Sequence, residues 1–215
     1  MPSPRPQAGA LPALAWANVF FHGAGVVLAW YGMRPGSAVV PLAERMAYLA
    51  GRPAGWTWGW GVWMICTFLL VSFMAVLRRR LSGSSAADLA LAFTAAGMAV
   101  DLLCDVIQIQ ALPLTAAGPN QGALFVVLER IAFTGGASIA NGLYTAGVVM
   151  MTLCLRTSGL ATRFAGWATG ISGAVMVLSG LILSPALLQA STGPTIGFYS
   201  LWTVLVARDL RQDRP

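Results

Sequence analysis

Charge is scarce in this chain of 215 residues, and one of the two strongly basic amino acids is missing. Asp, Glu, Lys and Arg make up 9% of the residues, against roughly 25% in a typical soluble domain. All 13 basic residues are Arg, because the sequence contains no Lys. So few charges cannot cover a water-facing surface, and a chain without Lys cannot form a Schiff base with retinal or pyridoxal phosphate. The composition therefore excludes a water-soluble globular protein and a protein that holds its cofactor through a lysine Schiff base.

Cysteine and histidine are also rare. Cys66, Cys104 and Cys154 all fall within apolar runs and lack CxxC spacing, so we expect neither a disulfide framework nor a zinc site. His22 is the only histidine, which excludes a bis-histidine haem but leaves a single axial ligand to a haem or pigment open. No nucleophile elbow, P-loop, dinucleotide fingerprint or HExxH motif occurs. The sequence therefore predicts no cofactor and no metal.

Apolar sequence, in contrast, is abundant: hydrophobic residues make up 57% of the chain, and its mean hydropathy is +0.73. A membrane-spanning helix needs about 20 such residues. The uncharged runs predict an all-α polytopic integral membrane protein, in which residues 1–215 form one transmembrane domain of six helices. The first run continues to Met33 and is longer than a signal-peptide core. The predicted spans cover about 11–33, 56–78, 88–111, 126–155, 164–183 and 193–207, the last starting near Pro194.

The arginines predict the orientation of this bundle, because short Arg-rich loops remain cytoplasmic. The group 78–80 follows the second predicted span, and Arg156 and Arg163 bracket a later loop. Both loops share a side only if the chain crosses the membrane twice between them, so the acid-bearing segment 88–111 must cross as well. Both termini are then cytoplasmic, and the net charge of +6 is a topology signal and not a nucleic-acid-binding patch. The cytoplasmic set comprises Arg5, Arg78, Arg79, Arg80, Arg156, Arg163, Arg208, Arg211 and Arg214.

The connection between the first two spans predicts a helix at the outer surface, over about 39–51. Its apolar side chains recur at helical spacing on one face, and its charged side chains and Tyr48 lie on the other. Such a pattern is typical of a helix in the membrane interface. We favour an ordinary connector, and a lid over an outward-facing pocket is the alternative.

Two acids interrupt the third span, in the stretch DLLCDVIQIQ. Asp101, Asp105 and Gln108 lie on one helical face, with Cys104 beside them. Each acid costs about 2.5–3.5 kcal/mol near the centre of a membrane helix, so such residues face the bundle interior and have a partner or a task. Two ionised carboxylates one turn apart repel each other, and we expect at least one to take up a proton or bind a cation.

Polar and aromatic residues of other spans fall at the level of these acids. Counting at 1.5 Å per residue places Asn141 near Asp101 and Ser138 near Asp105. Arg130 then lies about 13 Å beyond Asp105, so Glu129 and Arg130 are candidates for a structural ion pair only. Tryptophans of the second span and the histidine of the first complete the predicted ligand-binding set: Asp101, Asp105, Gln108, Asn141, Ser138, His22, Trp60 and Trp63. The alternative is a polar network that only holds helices together.

Two stretches near the C-terminus, RTSGLATRFAGWATGISG and GPTIGFYSLWTVLVARDL, show a recurring pattern. A short basic loop leads into a span with Gly and Trp, and an aromatic-rich span then ends in Arg. In this respect the chain resembles bacterial six-span membrane protein families of unknown function. The resemblance implies a bacterial cytoplasmic membrane protein, but it carries over no site residue, because those families have no assigned activity.

Three functions fit these patterns. The first is binding or transport of a small cationic or amphiphilic ligand at a buried acidic site in the outer half of the bundle, with proton coupling as an option. The second is an accessory or assembly subunit of a larger membrane complex, whose partner subunits the sequence does not identify. The third is an intramembrane acid–base enzyme acting on a lipid-like substrate, which no motif supports. The first explains the paired acids and the deep tryptophans together.

The predicted topology is testable with single cysteines introduced at Ser84 and Gln121. We expect a membrane-impermeant thiol reagent to label Gln121→Cys from outside the cell and Ser84→Cys only from the cytoplasmic side, because an odd number of crossings separates them. Labelling of Ser84→Cys from outside would overturn the six-span arrangement.

Overall fold

A computed structural model describes residues 9–81, 83–155 and 158–212. These residues are overwhelmingly helical and include no strand, which confirms the predicted all-α class. Arg5, Arg156 and Arg214, three of the predicted topology signals, lie outside the described residues. The helices, in chain order, are α1 (Ala10–Gly36), α2 (Leu42–Ala50), α3 (Ala54–Arg78), α4 (Ser85–Ala117), α5 (Gly122–Cys154), α6 (Leu160–Leu181) and α7 (Pro185–Gln212).

Five of these helices are long and apolar enough to cross a membrane, namely α1, α3, α4, α5 and α6. Helices of this length and apolar character are typical of an integral membrane protein. The 28 residues of α7 are long enough to span, at about 42 Å, but its first half carries Gln189, Ser191 and Thr192 and is less apolar.

The predicted start of the last helix near Pro194 is wrong, because α7 begins at Pro185 and contains Pro194 in its interior. Ser184 precedes the helix, and its side-chain oxygen accepts a hydrogen bond from the backbone N–H of Leu187 at 3.3 Å. This capping arrangement, with Pro185 at the first helical position where its missing N–H is not needed, sets the helix start.

The six long helices pack in a closed ring that follows their order in the chain. Each packs against the next, from α1 through α3, α4, α5 and α6 to α7, and α7 packs back on α1. The short connections make ring neighbours antiparallel. The ring therefore has two ends, an arginine end with the starts of α1, α4 and α6, and an α2 end that carries the small helix α2.

The arginine end is tightly packed. Its core holds large, fully buried side chains, among them Phe73, Leu77, Met151 and Trp202. Hydrogen bonds of polar side chains join the helix ends around this core. Asp209 near the end of α7 accepts hydrogen bonds from the Thr162 hydroxyl (2.6 Å) and the Gly159 N–H (3.0 Å) at the start of α6. These contacts close the bundle at this end.

Asn18 joins the first helix to both of its ring neighbours. Its side-chain amide donates to the Leu69 carbonyl of α3 at 3.2 Å, and the Tyr199 hydroxyl of α7 donates to its Oδ1 at 2.9 Å. The side chain is fully buried. Because buried amides must be hydrogen-bonded, this set of bonds fixes where α7 meets α1 and closes the ring.

In the half toward α2, three helices contain wider, π-helical turns. They cover Ala29–Met33 of α1, Ile107–Ala111 of α4 and Thr134–Ala140 of α5. A π-helical turn holds more residues than an α-helical one and rotates the faces on either side of it relative to each other, and such turns are frequent at functional sites. The side chains of this half therefore point in directions that ideal helical counting does not give.

Helices α4 and α5 cross closely at Gly147. A methyl group added at Gly147 would meet the Thr94 Oγ1 atom and would lie 2.9 Å from the Ala90 carbonyl oxygen. The backbone of Ala90 cannot give way as a flexible side chain could. Only glycine fits at this crossing, which brings the acid-bearing helix against α5.

We therefore expect Gly147→Ala to destabilise the protein by about 1–3 kcal/mol through overpacking. Gly61→Ala on α3 is the matched control, because a methyl group there meets no atom within 4 Å and alanine has the better helix propensity. Thermal unfolding in detergent would show a lower Tm for Gly147→Ala and an unchanged or higher Tm for Gly61→Ala. Equal Tm values for the two variants would contradict the close crossing.

Candidate functional site

A cavity of about 380 Å³ opens among the helices on the side toward α2, and we call it the main cavity. Side chains from α1, α3, α4, α5 and α7 line it, so no single helix builds the site. Five residues of the predicted ligand-binding set lie on its wall: Trp60, Trp63, Asp101, Asp105 and Gln108. The structure thus brings the acids of α4 and the deep tryptophans of α3 into one space.

Asp101 is held by hydroxyl groups from two neighbouring helices. Its Oδ2 atom accepts hydrogen bonds from the Thr67 hydroxyl of α3 at 2.8 Å and from the Tyr144 hydroxyl of α5 at 3.1 Å. Hydrogen bonds to a carboxylate are stronger than those between neutral groups. Asp101 therefore joins three helices, as well as facing the cavity.

Asp105, one turn further along α4, is in a different situation. Its side chain is 1% exposed and lines the main cavity. Its Oδ2 atom has no hydrogen-bond partner, and among the described residues neither Asp105 nor Asp101 forms an ion pair. A buried polar atom without a partner costs about 1–3 kcal/mol, and more when it is charged. Asp105 therefore differs from Asp101 in having a buried carboxylate oxygen that no described side chain or backbone group contacts by a hydrogen bond.

Tryptophans of α3 form an aromatic wall beside the acids. The Trp56 indole N–H donates to the backbone carbonyl of Gln108 at 2.7 Å, and the Trp56 and Trp60 rings meet edge to face, with centroids 5.7 Å apart. The Trp60 indole nitrogen is buried and has no partner. The cavity thus offers aromatic surface, which attracts cations, and two of its lining residues, Trp60 and Asp105, each have a buried polar atom without a partner.

A second cavity, of about 100 Å³, lies next to the main one toward the arginine end, and we call it the inner cavity. Trp63, Asp101 and Thr192 line both. Two predicted residues, His22 and Asn141, line only the inner cavity. The structure therefore places these two beside Asp101 but not on the wall of the main cavity.

The His22 ring is held by its own helix. Its Nδ1 atom hydrogen-bonds the Asn18 carbonyl oxygen at 2.9 Å. A carbonyl only accepts, so Nδ1 carries the proton in the neutral ring, and Nε2 remains an acceptor. Its ring centroid lies 5.2 Å from that of Tyr199 and 6.2 Å from that of Trp63.

Ser138, the last residue of the predicted set, lines neither cavity. Its hydroxyl donates to the Val177 carbonyl of α6 at 3.1 Å, and its side chain packs against Gly180. Its predicted place beside Asp105 is therefore wrong. The π-helical turn Thr134–Ala140 is the physical reason, because it rotates Ser138 away from the face that ideal counting assigns to it.

Of the two candidates for a structural ion pair, Glu129 forms one, with Arg45 of α2, and Arg130 does not within the described part of the chain. The Arg45 guanidinium donates to Glu129 at 2.7 Å and to the Val40 carbonyl at 2.6 Å, whereas Arg130 is exposed and forms no ion pair among the described residues. Adjacent residues of a helix point about 100° apart, so Glu129 faces the cavity and Arg130 does not.

Helix α2 has a second attachment. The Tyr48 hydroxyl donates to the Gly32 carbonyl at 2.5 Å, and partial burial raises the pKa of Tyr48, so the neutral hydroxyl remains the donor. Together with the Arg45–Glu129 pair, this bond ties α2 to α1 and α5 beside the main cavity.

Several lining residues were not predicted. Thr67 lies on the same helical face of α3 as Trp60 and Trp63, so extending that stripe by one more turn would have found it. Glu129 was predicted only as an ion-pair candidate and Thr192 carried no signal, because their places on the wall depend on how α5 and α7 pack. Among the described residues, no group of three His, Cys, Asp or Glu side chains could hold a metal ion.

No protein-family model, curated protein or solved structure matches the chain.

The two acids should affect stability differently. Asp101→Ala leaves the Thr67 and Tyr144 hydroxyls without their acceptor, so we expect it to destabilise the protein by about 1–3 kcal/mol. Asp105→Ala removes the same atoms one turn away but strands no donor among the described residues, so its Tm should be unchanged or higher. Thermal unfolding of the two variants checks this order. A larger loss of stability for Asp105→Ala would show that Asp105 is the structural residue.

Proposed function

We propose that this protein binds or transports a small cationic or amphiphilic ligand in the main cavity, in the outer half of a six-span bundle with both termini in the cytoplasm of a bacterium. The observation that carries the proposal is Asp105: a buried carboxylate on the cavity wall whose Oδ2 atom has no partner. A bound cation would supply the partner that the protein does not.

Charge balance around the cavity supports a positively charged ligand. Three acids and one base line it: Glu129 is paired with Arg45, and the base, Arg34, is exposed and lies over the Trp30 ring. Asp101 receives two hydroxyl hydrogen bonds, which stabilise its charge without cancelling it. The unbalanced negative charge therefore lies at Asp101 and Asp105, one helical turn apart.

The wall of the cavity favours an organic cation over a metal ion. Calcium and magnesium take six or more oxygen ligands, whereas much of this wall is indole and aliphatic carbon, from Trp30, Trp56, Trp60, Trp63 and Met33. Aromatic walls recognise ammonium groups through cation–π attraction. The volume of about 380 Å³ lies within the range of sites for small molecules, roughly 300–1,000 Å³.

The ring of helices supports six spans. Although α7 is less apolar than the other long helices, it packs on α6 and α1 and completes the ring, so it lies in the same layer as they do. Its last turns bring Arg208 and Arg211 to the end that also carries Arg78, Arg79 and Arg163. Concentration of arginine at one end fits a cytoplasmic location for that end.

An accessory subunit without a ligand is the second candidate, and one observation favours it. The hydrogen bonds of Asp101 join α3, α4 and α5, which is what a purely structural acid would do. That role leaves the unpartnered Asp105 and the aromatic cavity unexplained, so we prefer the binding function.

Binding of tetramethylammonium to the purified protein in lipid nanodiscs, followed by intrinsic tryptophan fluorescence, tests the proposal. We expect saturable binding to the wild type and at least tenfold weaker binding to Asp105→Asn, because hydrogen bonds and contacts to a charged group contribute about 1.5–3 kcal/mol. Glu44→Gln is the matched control, since Glu44 is an exposed acid that does not line the cavity. Equal affinities for wild type and Asp105→Asn would reject the acidic site.

A further inference from the structure

The main cavity reaches the surface of the bundle along the seam between α1 and α7. Trp30 on α1 and Gln189 and Gly193 on α7 are exposed and also line the cavity. Gly193 lies eight residues into α7 from Pro185, about 12 Å along the helix axis. The opening therefore extends well down the side of the bundle and is not confined to its end.

The seam is closed only toward the arginine end. There the Tyr199 hydroxyl bonds Asn18, and the Tyr199 ring packs against His22. Further toward α2, the segment Ala29–Met33 packs on α3, and the facing parts of α1 and α7 are both cavity wall. The ring is thus joined in one half and parted in the other.

Exposed apolar side chains lie close in the chain to the exposed wall residues. Val27 and Tyr31, near Trp30 on α1, are 55% and 85% exposed, and Leu181 and Ile182, shortly before α7 begins, are 66% and 58% exposed. Exposed apolar side chains on a membrane bundle face lipid. The seam therefore opens toward the acyl chains of the bilayer.

The end of the cavity toward α2 carries a positive charge. Arg34 lines the wall near α2 and is exposed, and its guanidinium lies 5.5 Å from the centroid of the Trp30 ring. A cation that approaches from water at this end meets a like charge before it reaches the two acids of α4.

Resting on the proposed cation site, we propose that the ligand is a long-chain amphiphile with a single cationic head. The head lies between Asp105, Asp101 and the indole wall, and the chain passes through the α1–α7 seam into the lipid. The carboxylates favour a positively charged head, and the seam gives room for its alkyl chain. The ligand class is then a membrane-dissolved amine or quaternary ammonium compound, and a small cation such as tetramethylammonium occupies only the site of the head.

Two probes with the same head distinguish the contribution of the seam to binding from that of the acidic site. Decyltrimethylammonium carries a chain, and tetramethylammonium is the head alone. Both are titrated below the micellar range against the full-length protein in nanodiscs, with tryptophan fluorescence as the signal. Because both charges are permanent, the protonation of the probes does not vary.

Substitutions that fill the seam test the path of the chain. Gly193→Leu places a side chain where a Cβ meets no atom within 4 Å, and Gln189→Phe enlarges an exposed wall residue. Gly197→Leu and Ala186→Phe are the controls, because these exposed positions on the same helix do not line the cavity. The pair at 189 and 186 keeps the test valid if a side chain beside Pro194 disturbs the helix.

We expect Gly193→Leu and Gln189→Phe to weaken binding of decyltrimethylammonium by about tenfold or more, while binding of tetramethylammonium and the affinities of both controls stay within about twofold. Unchanged decyltrimethylammonium affinity in both seam variants, equal weakening of both probes, or equally tight binding of decyl sulfate would overturn the inference while leaving the acidic site in place. Failure of both cations to bind the wild type would overturn the proposed function itself.

Discussion

A carboxylate among apolar helices must be hydrogen-bonded, ion-paired or matched by a ligand, because hydrocarbon offers it no solvation. Three acids face the main cavity of this protein, and each meets the constraint differently. Glu129 has the guanidinium of Arg45, and Asp101 has the hydroxyls of Thr67 and Tyr144. Asp105 has neither, and its Oδ2 atom is unpartnered. The contacts of these three acids explain how the surrounding helices are arranged.

The partners of Asp101 explain why α3, α4 and α5 come together at one level. The acid is on α4, and its donors are on the helices at either side. The close crossing at Gly147 brings α4 and α5 near enough for the Tyr144 hydroxyl to reach the carboxylate. Packing of small residues and polar bonding therefore act on the same pair of helices, as is usual in membrane bundles.

The two halves of the bundle differ in how their interiors are filled. Toward the arginine end, large apolar side chains fill the interior, Asn18 joins the first helix to the last, and Asp209 joins the end of α7 to the start of α6. Toward α2, π-helical turns interrupt three helices, and the interior is open and lined with acids and indoles. A rigid half can hold the walls of an open half in place, which is what a preformed binding site requires.

Composition and the length of the apolar runs alone determined the helical class and the helices long enough to span a membrane, because burial in lipid allows few other backbones. Helical periodicity also placed Asp101, Asp105 and Gln108 on one face with Trp60 and Trp63 at their level. Only the tertiary structure decided that Arg45 pairs with Glu129 and that Ser138 faces α6, because ion pairing between distant segments and the rotation caused by a π-helical turn leave no periodic trace in the sequence. The opening between α1 and α7 is likewise a property of packing: it depends on where two helices at opposite ends of the chain meet, and Asn18 and Tyr199 set that point.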